Sequence, residues 1–159
     1  MRAIVRSTAR CALLVCMAAA FACADAHDDV MDVFTSMAAA LTEVSGDSTG
    51  AVFGRGNVSK FMEGFSKDMP DYDTVKNNVK ALVNQGEVSS SIRPLTEDGD
   101  EQMYKIDLDW LLEIRSVEQD GPIVRRREVV HCELRKEKKH WKIIALTPVE
   151  FFAPLNSGK

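Results

Sequence analysis

Few residues of this chain are placed to do chemistry, and most of them fall in one stretch, "IVRRREVVHCELRKE" (residues 123–137). Read at a period of two, it sends Val124, Val130, Cys132 and Leu134 to one side and Arg125, Arg127, His131, Glu133 and Arg135 to the other. Glu128 is then an acid on the otherwise apolar side, with Arg126 as its neighbour there. A carboxylate held in apolar surroundings has a raised pKa and can take a proton, while a guanidinium or a phenol can stabilise the anion that results. Glu128 as base, with Arg126 or Tyr104 beside the developing charge, is therefore the candidate catalytic set, and its chemistry would be proton transfer at an apolar ligand. The competing reading is an ordinary Arg–Glu pair on strand ends beside a turn, in water. The sequence favours that reading, because structural ion pairs outnumber catalytic ones.

Other chemistry fares worse. His131 and Asp109 have the composition of a base and its orienting acid, but alternation puts both on the outward, charged face, where a solvated or interfacial salt bridge is the expected role. The run Arg125–Arg127 is not one anion site, since its middle member points opposite to the outer two. Cys132 follows His131 directly, so the two face apart, and a lone thiol of this kind is expected as a small buried apolar residue. His27, His131, His140 and Cys132 have no spacing that would gather them around a metal. "GAVFGRG" does not lie between a strand and a helix as a phosphate loop must, and "DGDEQ" is too short for a calcium loop. No cofactor and no metal is expected.

The N-terminus has the pattern of a secretory leader. "MRAIVRSTAR" carries three arginines and no acid, "CALLVCMAAAFA" is an apolar run too short to span a bilayer comfortably, and Ala24 and Ala26 bracket Asp25 as an A-x-A site. The sequence predicts a signal peptide over residues 1–26, with cleavage after Ala26 or else after Ala22, and a single domain over 27–159. Lipid attachment at Cys23 is disfavoured by bulky Phe21, where lipoprotein signals place a small residue. The leader holds Arg2, Arg6 and Arg10 against Asp25 alone, so its loss makes the product more acidic than the net −4 of the whole chain. Such a domain does not suit a nucleic-acid backbone or an anionic membrane surface. Of four cysteines only Cys132 lies beyond the leader, so no internal disulfide can form. The expected location is secreted or periplasmic, with no membrane span.

The remaining chain reads as helices first, strands second. "DDVMDVFTSMAAALTEV" puts Val30, Val33, Phe34, Met37, Leu41 and Val44 on one helical face, with Asp28 or Asp29 to cap it. A Gly/Ser/Asp-rich loop follows (residues 45–56). "NVSKFMEGFSKDMP" predicts a helix capped by Asn57, stopped by Pro70 and facing inward with Val58, Phe61, Met62 and Phe65. "DYDTVKNNVKALVNQG" predicts a third, with Val75, Val79, Leu82 and Val83 inward and Gly86 at its end. From Glu87 the period becomes two. "EVSSSIRPL" is a short strand that Pro94 ends or marks as an edge. "MYKIDLDWLLEIRSV" alternates Tyr104, Ile106, Leu108, Trp110, Leu112 and Ile114 with Lys105, Asp107, Asp109, Leu111, Glu113 and Arg115. Asp-Gly in "EQDGP" turns it back into 123–137. The last strand alternates Trp141, Ile143 and Ala145 with Lys142, Ile144 and Leu146, and "VEFF" closes the open end. The predicted class is α+β: three N-terminal helices packed in a curved antiparallel sheet, a cone or roll of the cystatin-like kind.

The three helices, the long strands "YKIDLDWLLEI" and "VVHCEL", and the Trp141–Lys142–Ile143 of the last strand together resemble the nuclear transport factor 2-like superfamily, in particular its bacterial SnoaL-like and ketosteroid-isomerase-like groups. The resemblance covers about Asp28 to Leu155 and rests on pattern rather than on a strict motif. It implies a cone with a pocket at its wide end and, for many members, a homodimer paired through the sheet. Enzymes of the ketosteroid-isomerase type use an inward carboxylate base with inward Tyr and Asp, and this chain offers no acid that matches the base. A pocket lined by Phe61, Phe65, Leu108, Trp110, Trp141 and Phe151 would suit a small apolar molecule, although such residues more often form the core itself. The outward face carries Leu111, Val129, Ile144 and Leu146 among charges of both signs, a composition suited to an isologous dimer. The expectation is a domain without catalysis that binds a small apolar ligand or a protein partner in the cell envelope. A lyase, isomerase or cyclase in the same pocket, or a purely structural dimerisation module, are the alternatives.

Overall fold

The computed structural model describes residues 9–43, 56–116 and 122–155, with the side chains of the first helix from residue 26 onward. Helix α1 (Ala9–Thr42) is unbroken. Asp28 and Asp29 therefore lie inside it as exposed residues rather than at its cap, because nothing between Ala9 and His27 interrupts a run of good helix formers. The expected inward face holds: Val30, Phe34, Met37 and Leu41 are buried, and Ala26 and Ala40 join them. Both expected cleavage positions fall within this helix. Arg2, Arg6, Val44, most of the loop at 45–56 and the Asp-Gly turn lie outside the described residues.

Helix α2 (Val58–Met62) starts as predicted, with the Lys60 amide donating to the Asn57 side chain at 3.0 Å. It is far shorter than predicted. At Gly64 the chain passes so close to α1 that an added Cβ would stand 2.4 Å from the Met37 sulfur. It then runs beside the last strand, where Ser66 N donates to Ile143 O and Ile143 N to Gly64 O, each at 2.9 Å. These strand-like bonds replace the remaining helical ones and cover part of a sheet edge. Phe61, Met62 and Phe65 are nonetheless buried as expected. Helix α3 (Tyr72–Gln85) buries Val75, Val79, Leu82 and Val83, the four residues its periodicity selects.

The sheet is an antiparallel meander in the order β1-β2-β3-β4, with β1 at Gly86–Gly99, β2 at Met103–Ser116, β3 at Ile123–Glu137 and β4 at His140–Thr147. Strand β1 runs past Pro94, so of the two roles the sequence allowed for that proline, a strand end or an edge, the edge holds. Proline survives there because β1 is an edge strand and the register shifts between Pro94 and Thr96. A second shift has a larger effect. Glu133 pairs with Ala145 but Leu134 with Ile143, so Ile144 is an extra residue in β4. Such a bulge reverses the alternation downstream. Leu146, expected on the outward face, is buried in the core at 3% exposure. Val124 departs in the other sense: expected inward, it is 38% exposed.

A short 3-10 turn, η1 (Val149–Phe152), buries Phe151 and Phe152 and closes the open end as predicted. Gln85 anchors the segment after it, accepting from Leu155 N at 2.6 Å and donating to Leu155 O at 3.3 Å. The whole is the expected α+β cone, with helices on the concave face of one curved sheet.

Candidate functional site

The six residues expected to line a pocket are all buried: Phe61, Phe65, Leu108, Trp110, Trp141 and Phe151 are each at most 3% exposed. Five of them fill space with other aromatic rings. Trp110 meets Phe152 at 5.2 Å and Phe151 at 5.7 Å between centroids, and Phe34 stands edge-on to it at 6.1 Å. Phe61 contacts Phe65 and Phe152 at 5.5 and 5.3 Å. Edge-to-face packing of this kind adds to the burial energy of each ring. Trp141 lies apart from that cluster and stacks edge-on with Tyr104 at 5.9 Å. Phe34 and Phe152 completed the cluster without having been singled out, although the helical face of α1 and the doubled Phe of "VEFF" carried the signal. Among the described residues Ser66 alone is a buried polar or charged residue outside the hydrophobic set.

The proton-transfer set does not assemble. Glu128 is exposed and lies opposite Trp110 in the β2–β3 register, whereas Tyr104 lies opposite Leu134. Six strand positions separate them, about 20 Å at the rise of a β-strand. Arg126 does turn inward between its outward neighbours, as alternation requires. Its guanidinium Nη1 donates to the carbonyls of Phe151 at 2.5 Å and Ala153 at 2.7 Å, so it pins η1 over the cone. Burial lowers its pKa, against the opposing charge of Glu128. The Tyr104 hydroxyl donates to Glu97 Oε2 at 2.9 Å, and His27 Nδ1 approaches the same oxygen at 2.6 Å. Glu97 is partly desolvated there, which alone would raise its pKa, but the His27 and Tyr104 hydrogen bonds outweigh that and leave it lowered.

The outward face is a lattice of paired charges. Arg127 donates twice to Asp109, at 2.7 and 2.6 Å, and Arg93 donates to it at 2.8 Å. These bonds, the Arg127 pair above all, pull the Asp109 carboxyl down to about 2. His131 therefore does not pair with Asp109. It faces Asp107 in register, with Nδ1 2.6 Å from Oδ1, while Thr96 donates to the other oxygen at 2.7 Å. Arg125 pairs with Glu113 at 2.6 Å and Lys105 with Glu133 at 3.0 Å. Among these charges Val129 is 44% exposed, and Leu111 and Ile144 are half-buried. On the opposite face of β3 Cys132 is buried, which pushes its thiol far up.

A groove of about 380 Å³ lies outside the core, between α1, the Glu63–Gly64 turn and the start of β4. Asp32, Lys139 and Trp141 are among the residues that line it. The Lys142 ammonium donates to the Glu63 carbonyl across one end. No group of three or more His, Cys, Asp or Glu able to hold a metal occurs among the described residues, and no described helix is long and apolar enough to cross a membrane.

No family model matches the sequence, and no curated protein does. Solved structures do. A hexachlorocyclohexane dehydrochlorinase, LinA type 2, superposes with a TM-score of 0.53 at 12% identity, over 79% of this chain and 85% of that one. A nuclear transport factor 2-like protein of unknown function from Shewanella oneidensis gives 0.50 at 12% identity, over 76% and 95%. A protein from Xanthomonas campestris assigned as a calcium/calmodulin dependent protein kinase II association domain gives 0.54 at 15%, over 74% and 81%. The fold of this chain is the nuclear transport factor 2-like, cystatin-like cone.

Proposed function

We propose that this chain is an exported, non-catalytic domain that acts as a homodimer, joined through the outer face of its sheet, and that meets ligands or envelope partners at its surface. One observation carries the reading. The outer face holds its charges in pairs around Asp109, Asp107 and Glu113, and leaves Val129 exposed between them with half-buried Leu111 on the neighbouring strand. Charges already paired within one sheet lose less on burial than free ones. An isologous contact then lays alternating signs over their rotated copies around an apolar centre. The likeness in fold to a protein described as an association domain is in keeping with an assembling role. The aromatic filling of the cone and the exposed position of Glu128 speak against turnover inside it. The leader pattern supplies the reason to place the domain outside the cytoplasm.

Sedimentation of the exported protein tests the dimer at concentrations on the order of 10 µM, where an interface of ordinary affinity is populated. Wild type is expected as a dimer and Val129→Asp as a folded monomer. A wild-type monomer, or a Val129→Asp dimer, would overturn the proposal.

A further inference from the structure

One wall residue of the groove beside α1 holds an unanswered hydrogen-bond donor. Trp141 Nε1 is the buried side-chain nitrogen or oxygen that has no hydrogen-bond partner among the described residues. A buried donor left unpaired is costly, and native proteins rarely leave one without a reason. The other tryptophan shows the ordinary solution, since Trp110 Nε1 donates to Ser90 Oγ at 2.8 Å. Trp141 is 3% exposed and forms part of the groove wall, but its Nε1 is closed to solvent, so an acceptor seated in the groove reaches it only when the wall gives way.

The remaining lining describes that molecule. Asp32 on α1 and Lys139 on the β3–β4 turn both face the groove, and neither has an ion-pair partner among the described residues. Of the other lining charges, Lys60 pairs with Glu43 at 3.5 Å, Asp29 with Lys136 at 3.8 Å, and Lys142 donates to the Glu63 carbonyl, while the Glu63 carboxylate, like Asp32, has no ion-pair partner among the described residues. Val33 and Met37 supply an apolar floor. Among the described residues, the Lys139 ammonium, the Asp32 and Glu63 carboxylates, the unpaired Trp141 N–H and an apolar floor complement a ligand that carries both signs and a short apolar body. The volume, about 380 Å³, falls in the range of small-molecule sites.

We infer that this groove binds a small zwitterion with an apolar body, the chemistry of a free apolar amino acid. Its carboxylate accepts from Trp141 Nε1 and faces Lys139, and its ammonium faces Asp32. Met37, an unbranched side chain with three rotatable bonds, is the wall element that yields to admit it. This site is separate from the sheet face and does not depend on the dimer.

The test is a titration of the ¹⁵N-labelled exported protein, followed at the two indole N–H resonances. L-leucine is the probe, with isocaproate lacking the ammonium and isoamylamine lacking the carboxylate. Leucine is expected to move the Trp141 resonance saturably and leave that of Trp110, bonded to Ser90, in place. Each truncated probe should bind about fivefold more weakly, the value of one partly exposed ion pair. Asp32→Asn, at an exposed helix position that should not affect folding, should weaken leucine by a similar factor and leave isocaproate unchanged. No saturable shift with leucine, or a truncated probe that binds as well as leucine, would overturn the inference. So would equal movement of both indoles.

Discussion

At the scale of single residues, Arg126 and Glu128, candidates for one proton-transfer set, take separate places. Arg126 is structural: two carbonyls of the closing segment depend on its guanidinium. Arg126→Gln should cost about 1–3 kcal/mol, since hydrogen bonds from a charged group are among the stronger ones. Glu128→Gln, at an exposed position, should stay within about 0.5 kcal/mol. Denaturant midpoints of the two variants check this, and an equal loss in both would contradict it. Asp109 makes a prediction in pH. Its folded value of about 2 lies below the ordinary 3.8, so it favours the folded state above 3.8 and loses that contribution as pH falls through the window down to 2. Asp107, Glu97 and Glu137 are lowered as well and act in the same direction. Asp109→Asn should therefore flatten, without abolishing, the fall of Tm between pH 4 and pH 2, a range set by the ordinary and folded values. An unchanged slope would show that its two arginines do not hold it in solution. Alternation placed Asp107, Asp109, His131 and Arg126 on the correct faces. It could not assign partners, because a choice between Asp107 and Asp109 for His131 depends on a register of one residue pair.

At the scale of elements, periodicity identified the three described α-helices, the first of them from Asp28 onward, the four described strands and most of their inward faces. What it missed has local causes. α2 stops early because the chain leaves the helix to bond with β4, a tertiary contact with no signature in "NVSKFMEGFSKDMP". Leu146 faces inward because one residue, Ile144, bulges, and a strictly alternating reading has no means to locate an insertion. The start of α3–β1 offers a test. Gly86 has extended backbone, so any residue can adopt its conformation, yet a Cβ there would lie 2.3 Å from the carbonyl oxygen of Arg115 on the paired strand. Backbone cannot swing aside as a side chain can. Gly86→Ala should destabilise by about 1–3 kcal/mol, the usual cost of overpacking. Thermal unfolding measures it, and a neutral or stabilising outcome would mean that β1 and β2 can separate at that end without loss.

At the scale of the molecule, the fold was legible because its two periods and their order restrict the architecture to few choices. The candidate pocket was less so. The same aromatic residues would line a cavity or fill one, and the difference lay in Phe34 and Phe152, whose rings occupy the centre beside Trp110. If those rings are the core of the cone, Phe152→Ala should cost about 3–5 kcal/mol, read from chemical unfolding. A loss under about 1 kcal/mol would instead indicate that the centre collapses easily or was never tightly packed. With these rings packed at its centre, the proposed dimer rests on the outer sheet face instead.

Native mass spectrometry of the protein exported to a bacterial periplasm tests that claim most directly, because it reads assembly and the removed leader in one spectrum. The account predicts a dimer of chains shortened at Ala22 or Ala26, reduced to monomer by Val129→Asp. A full-length or processed monomer at every concentration would contradict it.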